Sequence, residues 1–521
     1  MAIRHPIDAR PLWNSRELVA LEVFTNWICC LKKKKLHWMS ILPCCAVALQ
    51  EGRASLVLDR EIDVSAIVKT HNFIGGEFVA SLNGRWIDHI NPSTGLKASE
   101  VPDSEILDLV RAIQAANKSL VNWQRMTGQE RGALLEKIAD LLLERRDELS
   151  VAQATDTGAP VSAVKEYSIP AAIERFRTAA LATKQDFLPV GIASCVTGWS
   201  DPIDSLAMRV APALAAGNAV IAKPSEYSPQ SNELFARILH DAGLPPGVFN
   251  LVQGRGDSVG HAIAQHPGLH HIAFCGTTET GRLFMSEAAE PLKKLHLSMG
   301  SKNPVLVFQN VDLEATAKTV ALITTGYHPA QCLRGSRLFI QETIFKDFLA
   351  VLQKELQSLK VGDATDPSTQ VGPLVHQRYK DGFQAAVKQA LGEKGKSQAE
   401  SDLLGAAGWF VPPMLISDLT YCSTLQQTEV IGPLITATSF KYQHDAVKHA
   451  NGNPFGHTAY VFESDIEKAR KIGRKLEAGQ VYLNPQKPPM TAHPQGLKAS
   501  GLGHKTTALL EFFSFESSTI E

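Results

Sequence analysis

Between Leu188 and Phe274 short apolar runs alternate with helical stretches, and this alternation limits the fold more than any other feature of the chain. Val190–Val196, Ala219–Lys223, Gly247–Val252 and His271–Phe274 read as strands. Ile203–Ala216, Pro229–Ala242 and Ser258–His266 read as helices, the first two stopped by Gly217 and Gly243, residues suited to the left-handed cap that ends a helix. Strand, helix and strand in succession pair in parallel through a crossover, and several such units build a doubly wound parallel sheet. The predicted class is therefore α/β. A second alternating block runs on to Asn484, with strands predicted over Pro304–Phe308, Arg337–Ile340 and Thr458–Phe462 and an amphipathic helix over Phe345–Leu359.

Upstream, His71–Val79 reads as strand, turn and strand with Gly75-Gly76 at the turn. Ser104–Lys118 and Thr127–Leu149 read as amphipathic helices; the second opens on a Thr127 and Glu130 capping box. Glu393–Glu400 is the predicted exposed loop, and Leu509–Ser517 alternates in a way that suggests a strand added to a neighbouring subunit's sheet. A single core stops growing at about 250–300 residues, so a chain of 521 residues should hold two large domains. Residues 1–72 stand apart. Their apolar stretches, Leu18–Leu31 and Met39–Leu49, flank the basic run Lys32–Lys35. Neither reaches the roughly 18 clean apolar residues of a membrane span, and a signal peptide places its basic residues before the apolar region. A poorly ordered leader is expected, with a membrane-surface anchor as the lesser alternative.

Lys and Arg total 52 against 53 Asp and Glu, a net charge of −1, which gives no global pull toward nucleic acid or anionic membrane. The eight Cys include two adjacent pairs, Cys29-Cys30 and Cys44-Cys45, and four scattered residues, Cys195, Cys275, Cys332 and Cys422, with no CxxC. No disulfide framework, zinc ribbon or other metal site is expected. A reducing, cytoplasmic compartment is.

Chemistry-bearing motifs are individually modest. Gly254-Arg255-Gly256-Asp257-Ser258-Val259-Gly260 sits between a strand and a helix, where glycines and a helix amino terminus favour a phosphate; the spacing is GxGxxxG rather than GxGxxG, and a tight turn explains it as well. Lys223-Pro224-Ser225-Glu226 follows a buried strand and could bond ribose hydroxyls or simply be a solvated loop with a helix cap.

Several patterns then follow in a fixed order: Ala211–Asn218, Lys223–Glu226, Gly243–Asn250, Phe274–Gly281, Gly300–Pro304, Cys332–Arg337, Glu429–Pro433 and Gly479–Asn484. Their order and spacing resemble the NAD(P)-dependent aldehyde dehydrogenase superfamily over about residues 73–521. The resemblance implies an NAD(P)-binding domain over 73–300, a catalytic domain over 301–484, and a tail over 485–521 that returns to the cofactor domain and supplies a strand to a small β oligomerisation element. It implies oxidation of an aldehyde to a carboxylic acid by a homo-oligomer. Matched by motif, Trp199, Lys223, Glu226, Gly256, Gly276, Thr277, Gly281 and Glu429 fall at cofactor positions, Cys332 at the nucleophile and Asn484 at a well-kept Asn after the last strand. Glu226 favours NAD over NADP, because a carboxylate repels a 2′-phosphate. Arg334 and Arg337 lie near enough in sequence to lower the Cys332 pKa.

The departures from the family pattern gather at the chemistry. Ser200 replaces the Asn that helps hold the oxyanion, a loss that typically costs about 10²–10³ in rate. Ser298 replaces the Glu that activates water for thioester hydrolysis, a loss of about 10²–10⁴. His296 would share a face with Ser298 on a strand and is a candidate substitute base. The approach to the nucleophile, His328-Pro329-Ala330-Gln331, is also unusual, and the stretch from Arg175 to Pro189 is short for an oligomerisation hairpin. Three readings remain open at this stage: an aldehyde dehydrogenase with slow or rewired acyl release, a cofactor-binding scaffold that has lost the chemistry, and a variant that passes the acyl group to another thiol.

Overall fold

The computed structural model describes residues 68–185, 187–325, 332–397, 407–487, 496–502 and 512–515. The apolar runs of the first block pair as a strand–crossover–strand pattern requires. They form an eight-stranded sheet in the order Gly501–Leu502, Lys294–Ser298, His271–Cys275, Ile192–Val196, Ala219–Lys223, Phe249–Leu251, Asn72–Ile74 and Glu77–Val79. From Lys294–Ser298 to Phe249–Leu251 neighbouring strands run parallel. Helices Gly128–Glu144, Ile169–Ala182, Pro202–Ala215 and Pro229–Asp241 bury one face, and Ile106–Arg125 with Phe284 the other. Strands covered on both faces carry no polar alternation, which is why Ile192–Val196 and Ala219–Lys223 are buried throughout.

The chain leaves Ile192–Val196 in one direction, through Ala219–Lys223 and Phe249–Leu251, and returns on the other side as His271–Cys275 and Lys294–Ser298. The strand order thus reverses between Val196 and Cys275, and ligands of open α/β sheets bind beyond the carboxyl ends of strands at such a point. Met299–Lys302 then leads from the carboxyl end of one sheet to the amino end of a second. That second sheet is seven-stranded, ordered Lys396–Ser397, Met414–Ser417, Leu434–Phe440, Gly335–Gln341, Asn303–Val307, Thr458–Phe462 and Gln480–Leu483. It is parallel except for its first strand.

Several expectations need correction. The predicted leader ran to residue 72, yet Val68–Lys69 pairs in parallel with Ser99 and Glu100, and Asn72 bonds Ser104 and the Gln253 amide; residues 1–67 lie outside the described residues. The helix predicted over Thr127–Leu149 breaks at Arg145, which leaves helical geometry as its guanidinium reaches Asp241 at 2.6 Å. Ser258–His266 opens as a wide π turn, Gly256–Gly260, before the helical turn His261–Gln265. The tail strand pairs within its own chain: Ser514–Phe515 lies antiparallel to Leu188–Pro189, anchored by the buried Phe512 and Phe513. Of the exposed loop, Lys396–Ser397 forms an edge strand, and 398–400 lies outside the described residues. No helix among the described residues is long and apolar enough to cross a membrane.

Gly158 packs closely against the Pro373 segment. It caps helix Arg146–Thr157 at φ +81°, and a Cβ there would come within 2.6 Å of the Pro373 carbonyl oxygen. Left-handed backbone costs a non-glycine residue about 1–2 kcal/mol, before any clash. Gly158→Ala should therefore lower the unfolding free energy by at least that much, seen as a lower urea midpoint at unchanged slope.

Candidate active site

Cys332 lies at the amino end of Gly335–Gln341, after helix Leu313–Thr325; the unusual approach His328–Gln331 lies outside the described residues. The position is fixed from behind. Asn303, first residue of its strand, donates from Nδ2 to the carbonyls of Cys332 (2.7 Å) and Arg334 (2.9 Å), while its Oδ1 accepts from the Thr458 amide (3.0 Å). Tyr460 donates its hydroxyl proton to the Leu333 carbonyl at 2.6 Å. In the sequence Asn303 carries no signal of this role beyond its place in the Gly300–Pro304 motif, as a polar side chain that starts a buried strand.

The half-buried Cys332 thiol is held above its ordinary pKa, first by burial and then by the charges of Cys275, Glu429 and Asp201. This corrects the expectation that Arg334 and Arg337 would lower it. Both guanidiniums are buried and spent on backbone carbonyls: Arg334 on Thr324, Val430 and Leu434, Arg337 on Lys302, His449 and Ala450. The neighbouring Lys302 is 2% exposed, and its amine has no hydrogen-bond partner among the described residues. Burial, then Arg334 and Arg337, push its pKa far down, against the pull of Glu429.

Ser298 is the half-buried last residue of its strand, in register with Cys275 on one side and Gly501 on the other. Partners in register share a sheet face, so Ser298 and Cys275 stand side by side at the carboxyl ends of their strands. His296 is not a substitute base on this geometry. It is buried with its ring centroid 5.7 Å from that of Phe512, two positions back inside the core. Ser200 is half-buried in the bend that precedes helix Pro202–Ala215. Asp201 follows it at the N-cap position without a side-chain cap bond, and its Oδ1 accepts instead from Gln153 Nε2 at 3.2 Å.

The cofactor positions gather at the switch point. Lys223 ends its strand almost fully buried, donating to the Pro224 carbonyl at 3.0 Å with Glu226 at 3.7 Å. Burial lowers its pKa, and Glu226 and then Asp257 oppose that. At Gly256 and Gly260 nothing stands within 4 Å of where a Cβ would be, so the turn has open space in front of its backbone. Gly276 donates to the Ser298 carbonyl at 3.1 Å, and Thr277 caps helix Thr278–Glu287 by accepting from the Thr280 amide. Gly281 has a packing reason as well, since a Cβ there would meet the Met299 sulfur. Glu429 accepts from the Ser301 amide at 2.8 Å and lies over Gly300. Trp199 donates from Nε1 to the Tyr379 hydroxyl at 3.1 Å, a partner that no sequence motif marks. Asn484 takes a positive φ and exchanges two bonds with the Glu463 backbone, a structural role.

A doubly wound sheet whose switch point opens toward a thiol on a second sheet is the architecture of a nicotinamide-dependent oxidoreductase. Comparison narrows the class: residues 78–517 match the Aldehyde dehydrogenase family, and the chain belongs to it. It is 31% identical to 2-aminomuconic semialdehyde dehydrogenase of Bos taurus over 84% of this chain and 95% of that one. It is 33% identical to betaine aldehyde dehydrogenase 2 of Rhizobium meliloti (strain 1021) over 83% and 93%. Among solved structures, the NAD+ complex of an aldehyde dehydrogenase from Bacillus cereus superposes with a TM-score of 0.84 at 28% identity, covering 88% of this chain and 98% of that one. An indole-3-acetaldehyde dehydrogenase with NAD+ gives the same score over 87% and 97%. The protein is an enzyme that oxidises aldehydes to carboxylic acids with NAD, and the reading of it as a bare scaffold is set aside.

Proposed function

We propose that Cys332 is the nucleophile of this oxidation. The observation that supports the reading is the position of Cys332 just before the amino end of strand Gly335–Gln341 in the second sheet, with its backbone carbonyl held by Asn303 Nδ2 at 2.7 Å. Cys332 Sγ bonds the aldehyde carbon, and the Ser200 hydroxyl is the side-chain donor nearest in sequence pattern for the oxyanion that forms. Lys223 and Glu226 would hold the adenosine ribose, the Gly256 turn and the Gly276, Thr277 and Gly281 helix start the phosphates, and Trp199 and Glu429 the nicotinamide end. The open space at Gly256 and Gly260 fits such a ligand. When bound, NAD supplies the hydride acceptor that the oxidation requires. We place the enzyme in the cytoplasm as a homo-oligomer, which light scattering on the purified chain will test.

Mixing enzyme, NAD and a panel of aliphatic and aromatic aldehydes in a stopped-flow should give a burst of NADH near one per active site. Absence of any burst across the panel, with NAD binding measured separately, would overturn the reading. Cofactor choice has its own test. Removing the Glu226 carboxylate as Glu226→Ser should shift the kcat/KM ratio toward NADP by about tenfold; an unchanged ratio would remove Glu226 from the ribose site.

A further inference from the structure

The dinucleotide proposed for this cleft runs from Glu226, at its adenosine ribose, to Trp199 and Glu429, at its nicotinamide end. Between the two lies a diphosphate with a negative charge on each phosphate. The Gly256 turn and the Thr277 helix start offer it neutral backbone amides. Lys223 is 3% exposed and already donates to the Pro224 carbonyl with Glu226 beside it. Arg255, inside the glycine turn, pairs with Asp103 at 3.5 Å. Arg378 enters from the second block of the chain. It is the second residue of helix Gln377–Gly392, which precedes strand Met414–Ser417 of the second sheet. Its Cζ stands 5.2 Å from the ring centroid of Tyr227 and 4.7 Å from that of Tyr379. Tyr227 follows Glu226 directly, in the turn after Ala219–Lys223. Tyr379 meets Trp199 with ring centroids 5.0 Å apart, and Trp199 lies in the turn after the neighbouring parallel strand Ile192–Val196. The guanidinium thus stands between a residue at the ribose end and a residue at the nicotinamide end, where the middle of the dinucleotide must pass.

The hydrogen bonds point the same way. The Tyr379 hydroxyl oxygen accepts from Arg378 Nη2 at 2.7 Å and from Trp199 Nε1 at 3.1 Å. Two donors, one of them cationic, converge on one uncharged oxygen. A guanidinium matches a phosphate in shape and charge and can hold it by parallel N–H···O bonds; a phenol oxygen offers neither the charge nor a second acceptor atom. The two rings steady the guanidinium by cation–π attraction without neutralising it, and among the described residues Arg378 forms no ion pair. Its backbone amide donates to His376 Nδ1 at 3.1 Å, which fixes the start of the helix. We propose that the Arg378 guanidinium is the cation that binds the diphosphate of the cofactor. The proposal rests on the reading of Glu226 and Trp199 as cofactor residues. It makes cofactor binding a contact shared by the two sheets' segments, since Arg378 belongs to the second and the glycine turn to the first.

The test measures binding rather than turnover. Calorimetric titration of the purified chain with NAD, ADP and adenosine separates the diphosphate from the nucleoside. Arg378→Leu should weaken NAD and ADP about 10–100-fold, the worth of hydrogen bonds from a charged group, and leave adenosine as it was. Arg378→Lys should recover only a part, because an ammonium lacks the planar fork of donors. Unchanged affinities for NAD and ADP in Arg378→Leu overturn the proposal. An equal loss for adenosine overturns it too, since Arg378 would then only shape the turn around Tyr227. A second measurement needs no variant. Phenylglyoxal labels exposed guanidiniums, and Arg378 is exposed. ADP at about ten times its Kd should slow labelling of Arg378 roughly tenfold, read by peptide mass mapping, because only the unoccupied fraction reacts. Adenosine at the same occupancy should not. Labelling at an unchanged rate with ADP bound overturns Arg378 as the phosphate ligand, even where Arg378→Leu fails to fold. A chain that binds neither NAD nor ADP overturns the cofactor reading itself, and the proposal with it.

Discussion

Cys332→Ala will abolish the NADH burst and lower steady-state turnover by at least about 10⁴-fold, the scale on which loss of a covalent nucleophile is felt. The argument starts from the environment of the thiol. It is half-buried, and burial together with Cys275, Glu429 and Asp201 keeps it protonated at neutral pH. Arg334 and Arg337 offer no relief, because their donors are spent on carbonyls. Alkylation of Cys332 by iodoacetamide should therefore speed up about tenfold per pH unit through pH 9 without levelling, since only the thiolate reacts. Peptide mapping is needed, because Cys422 is exposed and will label first. Cys275, half-buried and in register with Ser298, is a second thiol to follow. A burst that survives Cys332→Ala and vanishes in Cys275→Ala would move the nucleophile there.

What could be read from the sequence follows from what sets each feature. Ala219–Lys223 and Thr458–Phe462 are strands with the predicted bounds, because burial on both faces writes a continuous apolar run that glycine, asparagine or proline punctuates. The Thr127 cap is present with its Glu130 partner for the same local reason. The break at Arg145 was hidden, since it depends on Asp241, far along the chain. The tail strand was assigned outward because alternation says that a strand exists and not where it pairs. Side-chain direction was the deeper obstacle at the site. Proximity in sequence put Arg334 and Arg337 beside Cys332, yet the Cβ positions turn both guanidiniums into the protein behind the loop.

The same buried guanidinium gives the second large effect, on stability. Arg337 is 2% exposed and donates to the carbonyls of Lys302 (2.8 Å), His449 (3.1 Å) and Ala450 (2.9 Å). It thereby ties the segment that joins the two sheets to the end of helix Gln443–Asn451. Arg337→Met fills much of the volume but leaves these acceptors in the interior without donors. Each such loss costs about 1–3 kcal/mol, and partial relaxation keeps the sum below strict addition, at roughly 3–6 kcal/mol. Arg337→Lys should recover only a part, because one ammonium cannot reproduce a planar fork of donors. Guanidinium chloride midpoints for the three proteins check the ranking. The acyl burst of whatever Arg337→Met remains folded should slow too, because Lys302 precedes Asn303, and Asn303 holds the Cys332 carbonyl. A shift below about 1 kcal/mol would mean that water replaces the lost donors, and the guanidinium would then be a tolerated passenger rather than the clasp between the two sheets.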